Sequence, residues 1–105
     1  MINKKLKDKV VNRSGGLCEI CNSNHMVQIH HIIGGSGKRK QHENEFSLIN
    51  LCWKHHHGTN GVHGKNGKEL DLKLKKELEQ RYREQGLEEE EILYLLGGRY
   101  YIGVD

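Results

Sequence analysis

Apolar residues are sparse in this chain, and their spacing changes from stretch to stretch. Ile2, Leu6 and Val10 recur every fourth residue while Lys4, Lys5, Lys7 and Lys9 occupy the other faces. That spacing predicts a short amphipathic helix with Asn3 as its N-cap, stopped by Ser14-Gly15-Gly16. Between Met26 and Ile33 the period falls to two, which predicts a strand. Val27, Ile29, His31 and Ile33 share one of its faces, and Met26, Gln28, His30 and Ile32 share the other. The glycine-rich basic run from Gly34 to Lys40 has no hydrophobic anchor and reads as a loop. Residues 45–52 form a second apolar segment, a return strand or an irregular turn. His55-His56-His57 can open a helix, which Gly58-Thr59-Asn60-Gly61 would end within about a turn. Further on, Leu70, Leu74, Leu78 and Tyr82 make a stripe at four-residue spacing, so a long helix is expected from Lys68 to Gln85, closed by Gly86. A shorter helix is expected from Glu88 to Leu96, opened by four glutamates that suit a helix N-terminus. Tyr100-Tyr101-Ile102 would pack back as a last strand. No repeat or linker interrupts the chain, so the expectation is one α+β domain over residues 1–105, with a helical support from 68 to 105.

Composition makes that core thin. Only 34% of the 105 residues are hydrophobic and 6% are aromatic, and a small domain so poor in apolar side chains gains from a structural metal. Three cysteines cannot close a paired disulfide framework, and no apolar run resembles a signal peptide or a membrane span. A reducing, cytoplasmic setting without membrane contact is therefore expected. The formal charge of +3 conceals a division. Residues 1–68 hold 11 Lys/Arg against 4 Asp/Glu, and residues 69–105 hold 6 against 10. The basic part is the one that would meet a polyanion such as DNA or RNA.

All three cysteines and all eight histidines lie between Cys18 and His63. Cys18-x-x-Cys21 and Cys52-x-x-His55 are two pairs with the same two-residue spacer, and two such turns brought together supply the tetrahedron of a structural zinc site. His57 is an alternative to His55 as fourth ligand. His30, beside Gln28, suits a metal ligand, and His31 suits a base tuned by partial burial. Neighbouring strand residues point to opposite faces, so the two can serve one site only if the strand twists at its end or they divide the labour. His55 and His56, about 100° apart on a helix, can face two different ions. Lys73, Lys75, Lys76, Arg81 and Arg83 of the long helix are cations that could contact DNA, but Glu77, Glu79 and Glu84 are interleaved with them, which favours a solvated helix packing its leucine stripe on the core. Glu88 to Glu91 read as a charged helix start.

His30-His31-Ile32-Ile33, then a basic glycine loop, then Leu51-Cys52-x-x-His55-His56, resembles the HNH (ββα-metal, or His-Me finger) endonuclease motif in its zinc-stabilised form. The run from His56 to Gly64 is similar to phage-type members, including recombination-associated ones, and the resemblance spans roughly residues 13–65. It implies a small ββα-metal domain with structural zinc, flanked by an N-terminal helix and C-terminal helices. It also implies a metal-dependent endonuclease that hydrolyses phosphodiester bonds in DNA. His31 would then be the general base, and His30 and His56 ligands of a catalytic divalent metal (Mg, Mn or Zn). His63 would be the third ligand, with Asn60 as its alternative. Lys38, Arg39 and Lys40 would hold phosphates. Ser47 stands where the family places an asparagine. DNA is the expected partner, with RNA compatible with the same charge and motif. A phage-encoded chain would act in the bacterial host cytoplasm, beside packaging or recombination proteins. The alternative is a non-catalytic zinc-binding module that holds nucleic acid or a protein on the same scaffold; the histidines beyond the zinc set argue against it.

Overall fold

In a computed structural model, which describes residues 3–34 and 43–102, helix α1 (Lys4–Ser14) forms where the four-residue spacing predicts it. The Asn3 side chain accepts the Lys5 N–H at 2.8 Å, and Gly15 ends the helix with a left-handed φ of 67°. Val10 is fully buried, while Arg13 reaches across to the sheet.

The sheet has two antiparallel strands, β1 (Gln28–His31) and β2 (Leu48–Leu51), in the register Gln28↔Leu51, Ile29↔Asn50, His30↔Ile49 and His31↔Leu48. β1 is shorter than the alternating pattern suggests. Met26 has φ 46°, outside the extended region, so the strand cannot begin there. At the other end the chain bends after His31, which lets Ile32 and Ile33 both be buried rather than alternate. His30 is buried, so the face it shares with exposed Gln28 is not uniformly polar. The second apolar segment is a turn followed by a strand. Asn44 Oδ1 accepts the Phe46 N–H at 2.8 Å and the Ser47 N–H at 3.1 Å, and β2 starts at Leu48.

After β2 come the one-turn helix α2 (Trp53–His56), a glycine-rich connection, helix α3 (Lys68–Glu84) and helix α4 (Glu89–Leu95). Leu74, Leu78 and Tyr82 of α3 are buried against Leu51, Ile32, Ile33, Ile92 and Leu96, while Leu70 is half-buried at the edge. Cys18 and Cys52 belong to this same core. Tyr100-Tyr101-Ile102 is not a strand. The Tyr101 and Ile102 N–H groups donate to the carboxylate of Glu79, a fully buried α3 residue, so this segment's backbone bonds go to a side chain instead of a sheet edge. No helix among the described residues is long and apolar enough to cross a membrane.

The connection between α2 and α3 depends on close backbone approach. A Cβ at Gly64 would overlap the Gly58 carbonyl oxygen, and one at Gly67 the Gly61 carbonyl oxygen. Gly64→Ala is expected to destabilise the protein by about 1–3 kcal/mol in urea unfolding. An unchanged midpoint would show that this turn is not under steric constraint.

Candidate metal centres

The first centre is built by two turns that the hairpin brings together. Asn22, at φ 63°, folds the Cys18–Cys21 turn back so that the Asn22 N–H reaches the Cys18 carbonyl at 2.9 Å. Cys52 caps α2, and one helical turn returns His55 toward it. The turns are locked to each other through β2. The Glu19 N–H donates to the Asn50 carbonyl at 2.9 Å, and the Glu19 carboxylate accepts the Asn50 N–H at 2.8 Å. Arg13 grips the other side of that carboxylate, with both contacts at 2.8 Å, and also donates to the Leu48 carbonyl at 2.7 Å.

Cys18, Cys21, Cys52 and His55 converge as a result, with one donor atom from each lying within 4.8 Å of the others. The Cys21 and Cys52 sulfurs are 3.7 Å apart, and His55 Nδ1 lies 3.4 Å from Cys52 Sγ and 3.7 Å from Cys18 Sγ. Tetrahedral zinc with bonds of about 2.3 Å to sulfur and about 2.0 Å to nitrogen would separate its ligands by roughly 3.5–3.8 Å. The four side chains thus suit a metal ion such as zinc, and His55, not His57, is the histidine among them. Burial works to raise the Cys18 thiol pKa. Backbone hydrogen bonds from Cys52, Cys21 and Ile20 outweigh it, with a smaller contribution from the Cys21 thiol, and bring the value down to about 6. A thiol that ionises so readily is prepared for a cation.

The second centre contains no sulfur. His30 comes from β1, His56 from α2 and His63 from the connection after it, and their ring nitrogens also converge within 4.8 Å. The His63 N–H donates to the His56 carbonyl at 2.9 Å, and the Val62 N–H to the His55 carbonyl at 2.9 Å, which folds the connection back on α2. His30 and His56 are only 7% and 8% exposed. Their buried nitrogens Nε2 and Nδ1 have no hydrogen-bond partner among the described residues. Such orphans are costly, and a shared cation would satisfy both. Burial, followed by the neighbouring His56, His63, His31 and Lys75, lowers the His30 pKa to about 3. Burial, then His57 and His63, lowers that of His56 to about 4. Both rings are therefore neutral at pH 7, the form that ligates metal. The His57 ring lies tilted against that of His56, with centroids 4.1 Å apart, and stacks on that of His63 at 5.5 Å.

His31 follows a different course. Its Nε2 meets Glu43 Oε2 at 2.8 Å, with both side chains largely shielded. Although His30 and His31 are adjacent in β1, both border one cleft. His30, His31, His56 and His63 border that cleft, about 350 Å³ in volume, together with Asp71 and Lys75 of α3.

The structure separates residues that spacing left in competition. His63 joins His30 and His56, whereas Asn60 borders a different surface hollow beside His55. Ser47 is buried in the turn before β2, where its hydroxyl accepts the Asn44 N–H at 2.9 Å and donates to the Asn44 carbonyl at 3.1 Å. Asn44 in turn donates to the Tyr82 hydroxyl at 2.8 Å, and this turn carries Glu43. Lys38, Arg39 and Lys40 lie outside the described residues. Glu43 and Asp71 were not singled out by sequence, since Glu43 follows a polar loop without periodicity and Asp71 reads as part of a charged helix face. Lys75 is, by sequence, one of five helix cations that could meet DNA, with a solvated face favoured.

The chain matches no family model, no curated protein and no solved structure.

Stripping metal with a chelator is expected to abolish cooperative unfolding, and Cys18→Ser to do the same. Retained folding with an undiminished thermal midpoint would contradict a structural ion at the sulfur cluster. In protein carrying one equivalent of zinc, the imidazole NMR signals of His30 and His56 should remain those of neutral rings at pH 5. A titration midpoint at or above 6 for either ring would contradict their burial. Both pKa values lie below the free-histidine value of 6.5. The stability linked to these neutral rings is therefore complete above pH 6.5 and is lost as pH falls toward 4 and then 3.

Proposed function

We propose that this chain is a metal-dependent HNH-type endonuclease that hydrolyses phosphodiester bonds in DNA. Cys18, Cys21, Cys52 and His55 would hold structural zinc, and His30, His56 and His63 a catalytic divalent ion. The observation that carries the reading is the placing of a three-histidine donor set and a carboxylate-held histidine on one cleft, separate from the cysteine cluster. A scaffold that only needed zinc would use the sulfur centre alone. The order β1, β2, α2 along the chain, with His30 on β1 and His56 on α2, suits a ββα-metal domain.

The residues divide the reaction between them. A carboxylate can only accept, so Glu43 holds the proton of His31 on Nε2 and leaves the lone pair on Nδ1. That lone pair takes a proton from water as the water oxygen bonds to phosphorus, and the bond from phosphorus to the 3′ oxygen breaks in line with it. Glu43 then stabilises the imidazolium. His30, His56 and His63 would hold a divalent ion, which would supply charge stabilisation for the phosphate and the departing oxygen. His30 and His56 would serve as neutral ligands beside the exposed His63.

His31→Ala should lower the rate of plasmid cleavage by about 10²–10⁴-fold while DNA binding persists. Glu43→Gln should lower kcat by a smaller factor. Unchanged cutting by His31→Ala would remove His31 as base. If the wild-type protein failed to cut with Mg, Mn or Zn but still bound DNA, a non-catalytic zinc module would be favoured instead.

A further inference from the structure

A DNA strand entering the histidine cleft carries a negative charge at every phosphate, and neutral imidazoles leave that charge to the ion they would hold and to nearby cationic side chains. Among the described residues bordering this cleft, Lys75 is the sole lysine or arginine. Its neighbour Lys73 borders hollows elsewhere on α3, beside Ile20.

Two neighbours hold Lys75 in this position. Its Nζ lies 2.8 Å from Asp71 Oδ2, and Asp71 also borders the cleft. The same ammonium sits 5.5 Å from the centroid of the Tyr101 ring. Tyr101 is fixed in turn, because its N–H donates to the buried Glu79 carboxylate at 2.6 Å. The segment after α4 is thereby clipped to α3 with its ring against Lys75. A solvated ion pair between residues four apart needs no such backing. An ammonium has three N–H donors, so the Asp71 contact leaves others for a ligand.

We propose that Lys75 binds a non-bridging phosphate oxygen of the DNA strand in this cleft, with Asp71 and Tyr101 directing its ammonium. The inference rests on the nuclease reading and adds to it a substrate contact from α3, outside the cysteine and histidine motifs.

The test compares wild-type protein with Lys75→Met, Lys75→Arg and Asp71→Asn, all loaded with zinc and matched for thermal midpoint. Cleavage of a plasmid and binding of a short random-sequence duplex across a salt series are measured. Lys75→Met should raise KM about tenfold or more with a smaller change in kcat. It should also reduce the slope of log affinity against log salt by about one. Lys75→Arg should keep the wild-type slope, and so should Asp71→Asn, which removes the ion pair but not the charge. If Lys75 only paired with Asp71, the Met and Asn variants would behave alike, and that result would overturn the proposal. Wild-type cutting with an unaltered KM and salt slope in Lys75→Met would overturn it while leaving the nuclease reading intact. Wild-type protein that neither binds nor cuts DNA would overturn both.

Discussion

A single helical turn sets the relation between the two metal centres. His55 and His56 are successive residues of α2, so their side chains leave the axis about 100° apart; one joins the sulfurs and the other joins His30 and His63. Four residues are too few to hold a helix by themselves. The conformation of α2 is imposed from its surroundings, by Cys52 at its start, by the bond from the Trp53 N–H to the His25 carbonyl at 3.1 Å, and by the amides of Val62 and His63 folding back on it. An ion at the sulfur cluster would fix α2, and through it both His56 and the backbone that carries His63. The two centres are thus mechanically coupled even though they share no ligand.

That coupling relies on a lateral clamp that an apolar core this thin could not replace. Glu19 sits between Arg13 and Asn50, and the three residues tie α1, the first cysteine turn and β2 together with paired, charge-assisted bonds. Asn50 adds a bond from its carboxamide to the Ser14 hydroxyl at 2.6 Å. On the far side, buried Glu79 receives Arg83 at 3.0 Å as well as the backbone of residues 101 and 102, so its charge is compensated. Polar networks of this kind specify geometry more than they add stability, and geometry is what two converging ligand sets require.

Much of this was legible in the sequence wherever one residue type repeated at a regular interval. The four-residue stripes gave α1 and α3 almost to their ends, and the paired two-residue spacers identified Cys18, Cys21, Cys52 and His55 before any geometry was known. The failures follow from local backbone conformation and long-range pairing, which spacing does not encode. Met26 carries alternation into a residue whose φ is positive, so β1 starts later than its pattern. Tyr100 to Ile102 have strand-forming side chains, but Glu79 takes their amides first. The choice between Asn60 and His63 depended on how close backbone contacts at Gly58, Gly61, Gly64 and Gly67 fold the loop. Glu43 was hidden because its partner lies twelve residues away across a polar loop. The asparagine expected at position 47 has no counterpart there, yet Asn44, three residues earlier, builds the turn with Ser47 and reaches Tyr82.

The two donor sets also divide the chemistry of metal binding. Three sulfurs and one nitrogen complete a tetrahedron and leave no place for water, which suits an ion whose work is structural. The thiols must lose protons to bind, and the lowered Cys18 pKa brings that ionisation close to neutral pH. The imidazole set has the opposite requirement. His30 and His56 are already neutral at pH 7, so ligation there would release no proton from either, and the set offers three donors where the sulfur cluster offers four. A sulfur-rich set and an all-imidazole set would therefore favour different ions under the same conditions. The placement of His55 and His56 on one turn is what lets so short a chain keep them apart.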